Sequence, residues 1–281
     1  MFEKNINVQF YYQQIFQLVN NQNKSGSNKQ LKKYAAMINK FIFGFIKKYG
    51  SIISTEKMQS LKTIYQLFND LRVNPSKDII SKIDLEFEKY AKTCVKYIIR
   101  HPEKYDAKKI PNPEKNRDLS YNGVSQARDF AKLLIYESLL VNKNVYIYIE
   151  YSTWPRTEKF GKIIEQQLYS GKKIKKNIDF SLNYNWLIDG KRIINAPYGG
   201  LDSWFGTEEA VNASKFIKEW FNNKPNNNLR DKFIIFIGIT HMPNMAAFYL
   251  NELKINPGKA QQINHTEFVR KEGSEYINSS R

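Results

Sequence analysis

The chain holds 281 residues, 42% of them hydrophobic and 14% aromatic, enough to bury one large core or two modest ones and too apolar for a disordered segment. Its one cysteine excludes an intrachain disulfide framework, and no apolar run reaches the roughly 18–20 residues that a membrane span requires. The formal charge of +17 suits a polyanionic partner, but the lysines are scattered rather than gathered in one arm, so compositional bias is the stronger account and nucleic-acid binding the weaker.

Residues 1–7 show no signal-peptide pattern, and a cytoplasmic protein is the expectation. Residues 8–20 carry Phe10, Tyr11, Ile15, Phe16, Leu18 and Val19 at near-helical spacing. Residues 21–28 form a polar break. A second helix is predicted over 29–49, stopped by Gly50. Ser54 or Thr55 caps a third, reaching Leu71 with Met58, Leu61, Ile64, Tyr65 and Phe68 on one face. Ser76 or Lys77 opens a fourth, running to about Tyr90. Residues 1–92 thus read as an α-helical extension, packed on the domain that follows and without a catalytic constellation.

From residue 93 the pattern becomes alternating strands and helices, which predicts an α/β domain over 93–281. A strand over 93–99 runs into Arg100-His101, with Cys94 as inert core filling. A Pro-rich loop spans 102–118, and a helix follows over 121–141. Strand 144–151 leads into Ser152-Thr153-Trp154-Pro155-Arg156, where Pro155 opens a helix to about Tyr169. Another strand is expected over 178–188, then a Gly- and aromatic-rich loop over 195–206. Thr207 opens a helix with Glu208 and Glu209 in its first turn. After a polar linker over 222–228, the apolar run 233–239 reads as a central strand ending at Thr240-His241. Pro243 starts another helix, 263–269 is a last strand, and the tail after Gly273 is expected to fray.

Two strands therefore end on histidines, and a third runs into an arginine. If they lie side by side in one parallel sheet, two imidazoles and two guanidiniums meet at its carboxyl edge, where open α/β sheets bind ligands. That grouping suits a phosphoryl group: arginine offers a planar fork for its oxygens, and neutral imidazole is a nucleophile. A lone strand-end histidine is more often a satisfied polar residue; the accompanying arginines reverse that reading for His101 and His241. The third histidine, His265, fits no motif and reads as structural. No His/Cys cluster has metal-ligand spacing, so neither metal nor organic cofactor is expected.

At these residues the sequence resembles the histidine phosphatase superfamily, which includes the phosphoglycerate mutases. The likeness covers about 95–250. Arg100-His101-Pro102-Glu103 resembles its Arg-His signature, and Leu119-Ser120-Tyr121-Asn122-Gly123-Val124-Ser125-Gln126-Ala127 its Leu-Thr-x-x-Gly-x-x-Gln-Ala helix start. Ser152 to Arg156 with Thr157 resembles its Ser-x-x-x-Arg-[Ala/Thr] element, and Thr240-His241 its second histidine. The resemblance implies a three-layer α/β/α domain with a mainly parallel sheet. It also implies a nucleophile at His101, and phosphate held by Arg100, His101, Arg156 and His241.

The chain departs from the family at the general acid. The segment from Ile194 to Leu201 looks like a mutase-type stretch without its Glu, and Met242 stands where another branch has Asp. Asp202, Glu208 and Glu209 are the candidate acids. The expected function is a metal-independent phosphomonoester phosphatase acting on a small phosphorylated substrate or a phosphoprotein, with no membrane partner. Its rivals are a mutase of the same fold and a catalytically weak phosphate- or RNA-binding module.

Overall fold

In the computed structural model the described residues are 8–20, 27–92, 94–103, 118–141, 144–152, 154–172, 178–184, 205, 207–223, 232–256, 263–264 and 266–279. The four predicted N-terminal helices are present: α1 (Val8–Asn20), α2 (Ser27–Tyr49), α3 (Thr55–Val73) and α4 (Lys77–Tyr90). Serines start the last two. Ser54 accepts from the Lys57 N–H and Ser76 from the Ile79 N–H, each at 3.3 Å. Such caps satisfy donors that a helix start leaves without an internal partner.

The rest alternates β1 (Val95–Arg100), α5 (Tyr121–Leu139), β2 (Asn144–Tyr151), α6 (Pro155–Lys172), β3 (Ile178–Tyr184), α7 (Glu208–Asn222), β4 (Lys232–Thr240), α8 (Met242–Asn251), β5 (Phe268–Glu272) and β6 (Glu275–Asn278). Among the described residues these strands form one sheet in the order β3-β2-β4-β1-β5-β6. The first four are mutually parallel, and β5 and β6 join antiparallel. The α/β expectation thus holds.

The C-terminal end departs from expectation. The last strands begin at Phe268 rather than 263, and the segment after Gly273 is a paired strand, not a frayed tail. Thr266 and Gly273 take φ of 59° and 56°, left-handed values that break a strand before 268 and turn it after 272. Cys94 is also not core: it lies half-buried just ahead of β1. The described part of the third parallel strand ends at Tyr184, and His265 lies outside the described residues.

Alternation along the strands sorts the core into two faces. Val95, Tyr97 and Ile99 pack with α5, α6 and the four N-terminal helices in one continuous cluster. Ile98 and Val269 face the opposite cluster, built on α7 and α8. The helical extension therefore shares its core with the sheet. Phe41 of α2 meets Tyr136 of α5 edge-on at 5.8 Å, and Gln9 donates to the Val141 carbonyl at 2.6 Å.

A charge network ties the two parts together inside that core. Arg270 of β5 is fully buried between Glu137 of α5 (2.5 Å) and Glu272. Tyr97 donates to Glu137 at 2.8 Å, and the Ser54 N–H donates to Glu272 at 2.9 Å. Lys57 of α3 stands 3.9 and 3.8 Å from the two carboxylates, with its ammonium over the rings of Tyr90 and Phe233. Buried charges persist only when paired in this way. On the other face Lys96 of β1 donates to the Phe221 carbonyl (2.9 Å) and to that of Asn223, satisfying acceptors at the end of α7.

Candidate active site

Sheet register builds the site. Arg100 of β1 is level with Thr240 of β4, so His101 and His241 leave neighbouring strands at the same height. On the other side of β4, Tyr151 is level with Ile239, which brings Ser152 to the same edge. Two backbone bonds carry the register past the strand ends: the His101 N–H to the Thr240 carbonyl (3.0 Å) and the Ser152 N–H to the Ile239 carbonyl (3.3 Å). The two imidazole centroids are 5.2 Å apart.

The tautomer of His101 follows from its partners. Its Nδ1 lies 2.7 Å from the Pro102 carbonyl, which can only accept, so Nδ1 carries the proton. The Nε of Arg156, which can only donate, lies 3.1 Å from Nε2, so Nε2 presents its lone pair. Burial, His241 and Arg156 hold the imidazole well below its usual pKa, with the Pro102 bond opposing them. His101 is therefore a neutral imidazole with its lone pair on Nε2.

His241 has the opposite arrangement. The Nη2 of Arg156 lies 3.4 Å from Nδ1, and Nε2 lies 2.7 Å from the Ser152 hydroxyl. Ser152 is 3.0 Å from the Thr157 hydroxyl, which itself reaches the carbonyls of Ser152 (2.9 Å) and Trp154 (2.7 Å). Arg156, at the start of α6, thus touches a ring nitrogen of each histidine. Its guanidinium carbon also lies over the Trp154 ring, 4.5 Å from the centroid. The Trp154 ring meets His241 edge-on at 5.7 Å.

The helix start after residue 118 anchors the segment leaving His101. The Glu103 N–H donates to the Gln126 amide oxygen at 3.0 Å, and its carbonyl accepts the Ser120 N–H at 3.0 Å. Ser120 caps α5 through the Gly123 N–H at 3.0 Å and donates to the Glu103 carboxylate at 3.0 Å. Asn122 donates to the same carboxylate at 2.5 Å. At Gly123 a Cβ would run into the Glu103 carbonyl oxygen, so the close approach requires glycine. The Leu-Ser-x-x-Gly-x-x-Gln spacing is thus the footprint of a clamp on Glu103.

Arg100 is only partly committed to the pocket. Its backbone N–H donates to the Glu267 carbonyl at 3.0 Å, and its guanidinium donates to the Ile263 carbonyl. Burial lowers its pKa to about 10, with Glu267 raising it and Arg156 lowering it, so the group stays charged at neutral pH. Glu208 and Glu209 are exposed in the first turn of α7, which Thr207 caps through the Ala210 N–H at 3.3 Å. Asp202 lies outside the described residues. Among the described residues no group of three or more His, Cys, Asp or Glu is arranged to hold a metal ion.

No protein-family model and no curated protein matches the chain. Solved structures do. A mycobacterial glucosyl-3-phosphoglycerate phosphatase superposes with a TM-score of 0.38 and 12% identity, covering 66% of this chain and 97% of that one. Phosphoglycerate mutase from Plasmodium falciparum gives 0.35 and 17%, over 66% and 98%. A phosphoserine phosphatase mutant from Entamoeba histolytica, in complex with phosphoserine, gives 0.34 and 12%, over 66% and 95%. These neighbours are members of the histidine phosphatase superfamily.

The structure brings His101, Arg156 and His241 together, and beside them stand two contributors that the sequence did not single out. Trp154 faces both Arg156 and His241, and the Ser152–Thr157 pair orients His241. The signal for the second was present as two hydroxyls five residues apart across a strand-to-helix turn.

Proposed function

We propose that the chain is a phosphatase that hydrolyses a phosphomonoester through a phosphohistidine on His101. The observation that carries this reading is the Nδ1–H bond to the Pro102 carbonyl, which leaves the Nε2 lone pair beside the Arg156 guanidinium. An imidazole so held is a nucleophile at neutral pH without a separate base.

In the first half-reaction Nε2 attacks phosphorus, an N–P bond forms, and the P–O bond to the leaving group breaks with its electron pair. Arg156 donates to the equatorial oxygens through its planar fork, and Arg100 adds a second fixed positive charge. In the second, water attacks phosphorus and the N–P electron pair returns to Nε2, releasing inorganic phosphate. The substrate class is a phosphate monoester on a small molecule or a protein side chain.

The test is steady-state hydrolysis of nitrophenyl phosphate by wild type and His101→Ala. Turnover by wild type, with loss to background in the variant, supports the reading. Equal rates in the two proteins would remove His101 from the chemistry.

A further inference from the structure

The hydroxyl relay behind His241 fixes more than a ring orientation. Thr157 has one hydroxyl hydrogen and two carbonyls within reach, at 2.9 and 2.7 Å, so that hydrogen points to a carbonyl. Its oxygen must then accept from Ser152 across their 3.0 Å contact. Ser152 has spent its own hydrogen, so its oxygen accepts from the His241 Nε2–H at 2.7 Å. The Arg156 contact gives the same answer independently, since a guanidinium can only donate to Nδ1.

His241 therefore keeps a proton on Nε2 in both of its protonation states, and Nδ1 is the nitrogen that gains or loses one. That nitrogen faces Arg156, and through it the nucleophile. Among the described residues the charged and titratable groups beside it are Arg156 of α6 and His101 at the end of β1, with Arg100 acting electrostatically on both of these. The positive charge of the two arginines opposes a proton on Nδ1, whereas a bound phosphate dianion favours one.

We infer that His241 is the general acid–base of this site, protonating the leaving group from Nδ1 in place of a carboxylate. The inference rests on the phosphohistidine reading above. When His101 attacks, the P–O electron pair passes to the leaving oxygen, which takes the Nδ1 proton and leaves His241 neutral. In the second half-reaction water attacks phosphorus and gives its proton to Nδ1, which restores the imidazolium. Ser152 and Thr157 are positioning residues, acting only through His241.

The experiment compares wild type, His241→Gln and Ser152→Ala on a series from nitrophenyl through phenyl to simple alkyl phosphates. A proton donor matters most where the leaving oxygen is most basic. The loss in kcat/KM for His241→Gln should grow by about 10²-fold from the nitrophenyl to the alkyl ester, within the range for general acid catalysis. Ser152→Ala should steepen the same dependence by a smaller factor and shift the basic limb of the pH profile. A loss of equal size across the series would overturn the inference and leave His241 as an equatorial oxygen donor. A Ser152→Ala series parallel to wild type would remove the relay. Failure to trap an acid-labile, alkali-stable phosphoenzyme in wild type would instead sink the phosphohistidine reading, so the two failures are distinct.

Discussion

Arg156 donates from Nε to the Nε2 of His101 at 3.1 Å, so the cation that would hold the phosphate also covers the lone pair that would attack it. Phosphate oxygens are charged acceptors and outcompete a neutral ring nitrogen for that donor. An anion that filled the fork would thus uncover the Nε2 lone pair of His101.

Arg156→Lys keeps the charge but loses the planar fork that serves two rings and the stacking on Trp154. The expected cost is about 10²- to 10³-fold in kcat/KM, the usual scale for removing a transition-state donor. Steady-state assays on nitrophenyl phosphate measure it, and retention of wild-type kcat/KM would contradict the bridging role.

The depressed pKa of His101 fixes a pH dependence. Burial comes first, then His241 and Arg156, so the folded ring remains neutral well below its ordinary value. The nucleophile should therefore show no acid limb near pH 6.5. Linkage runs the other way for stability. The unfolded ring takes up a proton below about pH 6.5 while the folded one does not, so stability falls on acidification. His101→Gln should lose less in its urea midpoint between pH 7 and pH 5 than wild type does.

Gly123→Ala would push a methyl group into the Glu103 carbonyl and open the clamp on the segment leaving His101. The backbone must move, at a cost of about 1–3 kcal/mol for overpacking. Both the thermal midpoint and kcat should drop. An Ala variant with unchanged values of both would show that the clamp is not needed to aim the nucleophile.

Arg270→Met leaves Glu137 and Glu272 buried together with Lys57, at 3.9 and 3.8 Å, in place of the guanidinium that both contact directly. Removing one member of a buried pair costs about 3–5 kcal/mol. Urea unfolding of the full chain reads this directly. Because Ser54 and Lys57 belong to the same network, α3 should loosen with it, visible as faster amide exchange in Thr55–Val73.

The helices, the parallel strands and the histidine pair were legible because they depend on local pattern. Apolar spacing marked α3, a β-branched run marked β4, and each active-site histidine stood at the end of such a run. The hairpin of β5 and β6 was not legible. Its first strand pairs with β1, with Val95 opposite Glu272, a partner more than 170 residues away, and its second pairs with the first. Lys57 falls four residues before Leu61, on the buried side of its helix, yet its charge argued for a surface place. Only Glu137 and Glu272, distant in sequence, explain it. In the site, spacing placed Arg156 near the histidines, but the tautomers came from hydroxyls and carbonyls whose positions no spacing encodes.

The placement of β4 between β1 and β2 has a temporal consequence. Among the described strands β1 and β2 do not pair with each other; β4 lies between them, although it follows both in the chain, starting at Lys232 whereas β1 ends at Arg100 and β2 at Tyr151. During synthesis His101 and Arg156 emerge early, but the backbone bonds that set His101 and Ser152 in register form only once Ile239 and Thr240 lie between them. Long-range strand insertion of this kind is slow relative to helix formation. The proposed site is therefore completed only as a late event of folding, and a nascent or truncated chain stopping before β4 should be inert towards nitrophenyl phosphate.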